Sequence, residues 1–186
     1  MPGDLSFACI CGTVTGHLDE KAVSNGTHVT CGCRSCRAAT KHLTSKTVPF
    51  VDVYLTSSHH VHIDSGFDKL AALKLSPKGS NRIYATCCGA PISVIEHTQR
   101  LCFTSIYTNR LSEADRIGPI VAQVYRHKPD DRRHIGLGKV VRQVLARALS
   151  DRLTGTWKSS VFFSDPKTLT VPQVLIEKDA KAVAYT

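Results

Sequence analysis

Cysteine is the residue that most constrains this chain. Eight are present, and seven fall into three short clusters: Cys9 and Cys11 before Gly12, Cys31, Cys33 and Cys36 in a Cys-x-Cys-x-x-Cys run, and Cys87-Cys88 before Gly89. Thiolates one to three residues apart cannot all serve as disulfide partners within one strand or tight turn, but they converge readily on a tetrahedral ion about 2.3 Å from each sulfur. The clustering therefore predicts two metal sites, with zinc as the ion, over the alternative of ordinary buried cysteines that behave as small hydrophobes.

At 186 residues the chain has the length of one domain with elaborations. A hydrophobic content of 42% describes a soluble globular protein, and no stretch approaches the roughly 18 consecutive apolar residues of a membrane span. The N-terminus MPGDLSFACICG has no basic segment followed by an apolar one, so it does not read as a secretory signal. A cytoplasmic location with no membrane partner is the expectation, in a compartment where clustered thiols are more often metal ligands than disulfides. The formal net charge is +9, with 12 basic and 9 acidic residues up to Ile120 and 12 basic and 6 acidic from Val121 onward. Such a balance favours anionic partners, whether nucleic acid, phosphorylated metabolites or a carboxylate-rich thiol such as glutathione, or else only a basic, soluble surface.

The pattern predicts a mainly β protein. Residues 5–53 read as short strands around turns, including 7–11, 13–15 and 27–30, and residues 51–55 and 60–63 alternate as half-buried strands do. Residues 70–75, 82–86, 92–95 and 101–104 continue the series, the 82–86 strand delivering Cys87 and Cys88 to a turn at Gly89; Cys102 reads as core. Residues 126–133 read as a surface loop, and 159–163 and 171–176 as possible returning strands. Between them, Val140, Val141, Val144, Leu145, Ala148 and Leu149 recur at helical spacing. An amphipathic helix over 139–153 follows, with Arg142, Arg147 and Arg152 off the stripe as a solvated face or a binding surface.

The order of Cys9, Cys11 and Gly12, then Cys31, Gly32, Cys33, Arg34, Ser35, Cys36 and Arg37, then Cys88 and Gly89 resembles the glutathione-dependent formaldehyde-activating enzyme family, which includes centromere protein V. The resemblance covers roughly residues 5–105. It implies a β-tent of coiled antiparallel sheets around zinc, occupying residues 1–110, with residues 111–186 an extension packed on the same domain. It also implies a structural zinc at Cys9, Cys11 and Cys88. Ala85 stands where the family has its fourth ligand, leaving Cys87 as the replacement. Neighbours on a strand face opposite ways, so either the Gly89 turn brings Cys87 and Cys88 to one ion or one of the pair is idle.

The middle cluster matches the family's second zinc site. Cys31, Cys33 and Cys36 would supply three thiolates and leave a fourth position open, the pattern of a catalytic site. The implied chemistry is carbon–sulfur bond formation or lysis on a small thiol such as glutathione or its aldehyde adduct. Arg34 and Arg37 would receive a substrate carboxylate or merely offset the thiolate charge. His28, His42, His59, His60 and His62 are candidates for a fourth ligand or general base. The competing reading is a non-enzymatic zinc-stabilised module that binds nucleic acid or another acidic partner through the basic C-terminal third.

Overall fold

The computed structural model describes residues 3–96, 103–125, 134–162 and 170–174, the last stretch by its backbone. The chain opens with β1 (Leu5–Ala8) and β2 (Thr15–Leu18), an antiparallel pair, followed by the helix α1 (Glu20–Asn25). Then come β3 (Thr27–Cys31), the helix α2 (Arg34–Thr44), β4 (Val51–Ser57) and β5 (Val61–Ser65). A meander of β6 (Leu70–Lys74), β7 (Asn81–Ala85), β8 (Pro91–Ile95) and β9 (Phe103–Tyr107) continues the chain. The last described elements are β10 (Ala122–Val124), the helix α3 (Leu137–Thr154) and β11 (Thr170–Val174).

Among the described residues the strands form two sheets: β1-β2-β5, and an eight-stranded sheet ordered β10-β3-β4-β9-β8-β7-β6-β11. The interior of the large sheet is antiparallel, but β10 joins β3 and β11 joins β6 in parallel, so the expectation of purely antiparallel sheets fails at both edges. Period-two alternation divides the large sheet into two cores. On β4, Tyr54 faces a core with Leu5, Phe7, Leu18, Ile83 and Ile106, while Val51 and Val53 face a second core with Val29, Tyr107 and Val140.

Two helices lie where residues 5–53 read as strands and turns alone. In α1, the Asp19 side chain caps the start by accepting the Ala22 N–H at 2.8 Å, and Ala22 and Val23 are buried. In α2, the capping side chain is Cys33, and the buried face is Ala38, Ala39 and Thr40. The helix is strongly amphipathic, with Arg34, Arg37 and Lys41 recurring at helical spacing, a signal that the strand reading of residues 5–53 passes over. The strand expected at 7–11 stops at Ala8, and the one expected at 13–15 lies at β2 and runs through Gly16. Val161 and Phe162 lie in a turn rather than a strand, residue 163 being outside the described residues. The loop at 126–133, Leu101, Cys102, and residues 175–176 also lie outside them.

Helix α3 brackets its expected span, but only half of its predicted stripe faces the sheet. It meets β4 and β10 through Val140 and Val144 and through polar links: Thr27 Oγ1 donates to Gln143 Oε1 at 3.0 Å, Arg147 Nη1 to the Asn25 carbonyl at 2.6 Å, and Ser57 Oγ to Asp151 Oδ2 at 2.6 Å. Arg147 therefore belongs to the docked side and not to a solvated face. Val141, Leu145 and Leu149, half of the predicted stripe, point outward.

Candidate metal centres

The topology places both cysteine clusters at one end of the large sheet. Cys31 ends β3 opposite Val51 at the start of β4, β9 ends beside that start, and β8 begins where β7 and β9 reach the same end. The β3–α2 and β7–β8 segments, which carry five of the cysteines, thus leave the sheet at the same end, with β4 and β9 lying between β3 and β8. The β1–β2 loop brings Cys9 and Cys11 to the second of them.

In the first cluster Cys9, Cys11, Cys87 and Cys88 place four sulfurs all within 4.8 Å of one another. The sulfurs lie 3.5 Å apart for Cys9–Cys11, 3.4 Å for Cys11–Cys87, 3.9 Å for Cys9–Cys87 and 4.0 Å for Cys87–Cys88. Four thiolates at about 2.3 Å from a tetrahedral ion sit about 3.8 Å apart, so the cluster fits a four-sulfur metal site without rearrangement. The question over consecutive ligands is resolved by local backbone. β7 ends at Ala85, and the Gly89 N–H returns to the Ala85 carbonyl at 2.8 Å, closing a helical turn. On such a turn neighbours diverge by about 100° rather than 180°, and both sulfurs reach one side. Gly89 leaves the turn at φ +69, where a Cβ would also lie 2.8 Å from the Leu43 carbonyl.

A matching loop holds the other pair. The Cys9 N–H donates to the Val14 carbonyl at 2.9 Å, and the Val14 N–H donates to Cys9 Sγ at 3.3 Å. Cys9 is buried while Cys11 and Cys87 are exposed. Without a metal, the Thr13 hydroxyl and backbone, followed by Cys87 and Cys9, lower the Cys11 thiol to about 6, while hydrogen bonding to Cys11 raises Cys87 to about 12. The cluster is electrostatically poised to give up protons to a cation.

In the second cluster Cys31, Cys33 and Cys36 offer three sulfurs within 4.8 Å of one another, and no fourth Cys, His, Asp or Glu joins them among the described residues. The start of α2 builds the site: Cys33 caps the helix, accepting the Cys36 N–H at 3.4 Å, and Cys36 lies one turn in. Hydrogen bonds from Cys31 and then Cys36 pull the Cys33 thiol to about 2, and its neighbours carry the protons: Cys31 rises to about 11 and Cys36 well above its ordinary value. Gly32 is required here, since a Cβ would lie 2.3 Å from the Tyr125 carbonyl.

A cavity of about 560 Å³ opens beside the first cluster, reached by Cys88 but lined by none of Cys31, Cys33 and Cys36. Ile10 and Cys88 line one side, Thr40, Val51 and Tyr107 another, and Lys46, Asp52 and Arg110 add charge. Val51 and Tyr107 also belong to the core against which Cys36 packs. Tyr107 is a lining residue that the sequence does not single out. Its hydroxyl is buried with no hydrogen-bond partner among the described residues. Burial first, then the charge of Cys36, pushes it up to about 12, so it keeps its proton. No sequence signal marks it, because its role comes from β9 ending beside β4.

The remaining sequence candidates separate. Arg37 Nε donates to the Val48 carbonyl at 3.0 Å, tying α2 to the segment before β4, and Arg34 is half-buried on the first turn of α2. His28 contacts the Gly118 carbonyl and Asp52 Oδ1 with its two ring nitrogens, each at 2.8 Å. His42 is exposed on α2. His59 lies 3.9 Å from Asp151, and His60 and His62 both approach Asp19, at 2.7 and 3.8 Å. None of the five enters the three-sulfur group.

Fold and site together define a mainly β protein with two thiolate clusters able to hold metal, one complete and one with three ligands. By sequence the chain belongs to DUF6151, described as a family of unknown function, whose model matches residues 1–128. No curated protein matches it.

Proposed function

We propose that this is a two-zinc protein of the formaldehyde-activating type, with a closed structural ion at Cys9, Cys11, Cys87 and Cys88 and an open, reactive site at Cys31, Cys33 and Cys36. The observation that carries the reading is the unequal completeness of the two clusters: four sulfurs in one and three in the other. Four thiolates leave an ion no position to work with, whereas three leave one. When bound at the second site, zinc would supply the positive charge that keeps an incoming thiol deprotonated near neutral pH. The cavity would receive the rest of a thiol or its aldehyde adduct. Lys46 and Arg110 face its carboxylates, and the protonated Tyr107 hydroxyl can donate to an oxygen developing negative charge. The β-tent description, zinc as the metal and the carbon–sulfur lyase reading belong to this proposal.

Cobalt substitution tests it, because thiolate-to-cobalt absorption reports each added sulfur. Two cobalt ions per chain should bind, and glutathione should perturb only the second. Cys33→Ser should abolish that response while retaining a helix-capping oxygen, which Cys33→Ala would remove. One metal per chain, or a spectrum indifferent to thiols, would overturn the open-site reading.

The competing module reading gains from one observation. Arg147 and Asp151 dock beside Thr27 and Ser57, which lie at the opposite end of β3 and β4 from Cys31 and Val51. The basic helix therefore presents a surface separate from the thiolate site.

A further inference from the structure

The outward side of α3 is the largest unexplained feature of the molecule. Leu137, Val141, Leu145, Leu149 and Leu153 are 38%, 47%, 63%, 61% and 80% exposed. Spaced four apart at about 100° per residue, they wind through roughly 160° of helix circumference. Meanwhile the side facing the sheet is held largely by polar links through Gln143, Arg147 and Asp151. Val140 and Val144 complete that docked side, so the five outward aliphatic residues form a second apolar face that the domain itself does not use.

We propose that this face seats the protein on an anionic lipid surface, with α3 lying peripherally at headgroup depth. Charge selects the partner. Lys139, Arg142, Arg152 and Lys158 are exposed along or just beyond the helix, and Asp151, the single acidic residue of that stretch, is buried. The partner must therefore offer both apolar depth and negative charge. A second copy would bring the same cations together, and a nucleic acid has phosphates but nothing to bury five aliphatic side chains. One partner helix would cover a narrower seam than this arc. A bilayer interface accommodates the whole arc, with the Arg and Lys stems reaching the headgroups.

Trp157, the only tryptophan in the chain, follows α3 in a short 3₁₀ turn, with Arg152 and Lys158 at 5.7 and 5.6 Å from its ring. Indole beside cations at a helix end suits the headgroup layer. No described helix is long and apolar enough to cross a membrane. A peripheral contact needs none, and it departs from the sequence expectation of no membrane partner without depending on the metal chemistry.

The test is co-sedimentation of the full chain with phosphatidylcholine vesicles containing about 30% phosphatidylserine, against phosphatidylcholine alone, while Trp157 emission is followed. Binding to the anionic vesicles only, with a blue shift and a loss of binding as salt rises, is the expected result. The double variant Leu145→Glu/Leu149→Glu alters only exposed positions, so it should keep its melting temperature yet lower the partition coefficient by on the order of tenfold or more. Three outcomes would overturn the proposal. These are no vesicle binding at low salt, vesicle binding that leaves Trp157 and the double variant unaffected, or a dimer in sedimentation velocity that the double variant breaks while vesicles have no effect.

Discussion

Removing Cys87 and Cys88 together should reveal how much of the fold the first metal holds. With both replaced by serine, Cys9 and Cys11 remain as a local pair and no ion can join the β1–β2 loop to the β7–β8 turn. Cys11 and Cys87 are 76 residues apart. Closing a loop of that length restricts the unfolded chain by about 4.5 kcal/mol at 25 °C in the chain-entropy model. Neither cysteine is fully buried, so little packing is lost with them. For a chain of this size the change corresponds to a melting temperature lower by roughly 9–18 °C. The second cluster closes only a short loop between Cys31 and Cys36, and the same relation gives about 2 kcal/mol, or roughly 4–8 °C, for its loss.

The assay is thermal unfolding of zinc-loaded wild type, Cys87→Ser/Cys88→Ser and Cys33→Ser, each with bound metal determined, and of wild type with a chelator. The chelated wild type should melt with or below the double variant, and Cys33→Ser should lie between that variant and the zinc-loaded protein. If the double variant and zinc-loaded wild type melt together, the first cluster is not a long-range tie. If Cys33→Ser is the more damaging change, loop length is not what sets the cost.

Two further outcomes follow from the backbone and the burial. Gly32→Ala should cost the protein its second metal while the first is retained, because the added Cβ would meet the Tyr125 carbonyl at 2.3 Å and displace the loop between Cys31 and Cys33; Gly89→Ala, which strains a positive φ and meets the Leu43 carbonyl at 2.8 Å, should cost the first metal; metal stoichiometry and cobalt spectra distinguish the two. Burial holds the His59 imidazole below its ordinary value of 6.5, so the folded state resists its protonation. Its contribution is present above that value and is lost as pH falls below it; His59→Gln should flatten the decline in stability on the acid side, and an unchanged slope in urea titrations at pH 5 and 7 would refute the assignment.

The cysteine spacing marks the seven described thiols as three short clusters, because ligands one to three residues apart identify themselves without tertiary information; that the first and third belong together is implied by the family resemblance and is realised only in the fold. Most strands are likewise local statements: alternation across β4 and β5 and the breaker before β7 can be read from side-chain chemistry and turn residues. Tertiary structure decided what short-range pattern does not encode. Whether Cys87 and Cys88 share an ion depends on a helical turn closed by the Gly89 N–H onto Ala85. That α2 is a helix is legible in its amphipathic spacing, but its start depends on a cysteine cap, which short-range pattern does not encode. Tyr107 reaches the cavity only because β9 ends beside β4, fifty residues away in sequence. The orientation of α3 is the clearest case. Its sequence holds an apolar arc and a set of polar groups, and periodicity assigns the apolar side to the core. Thr27 and Ser57 on the sheet instead bond Gln143, Arg147 and Asp151, and these links together with the packing of Val140 and Val144 fix a docked side that leaves Val141, Leu145 and Leu149 outward.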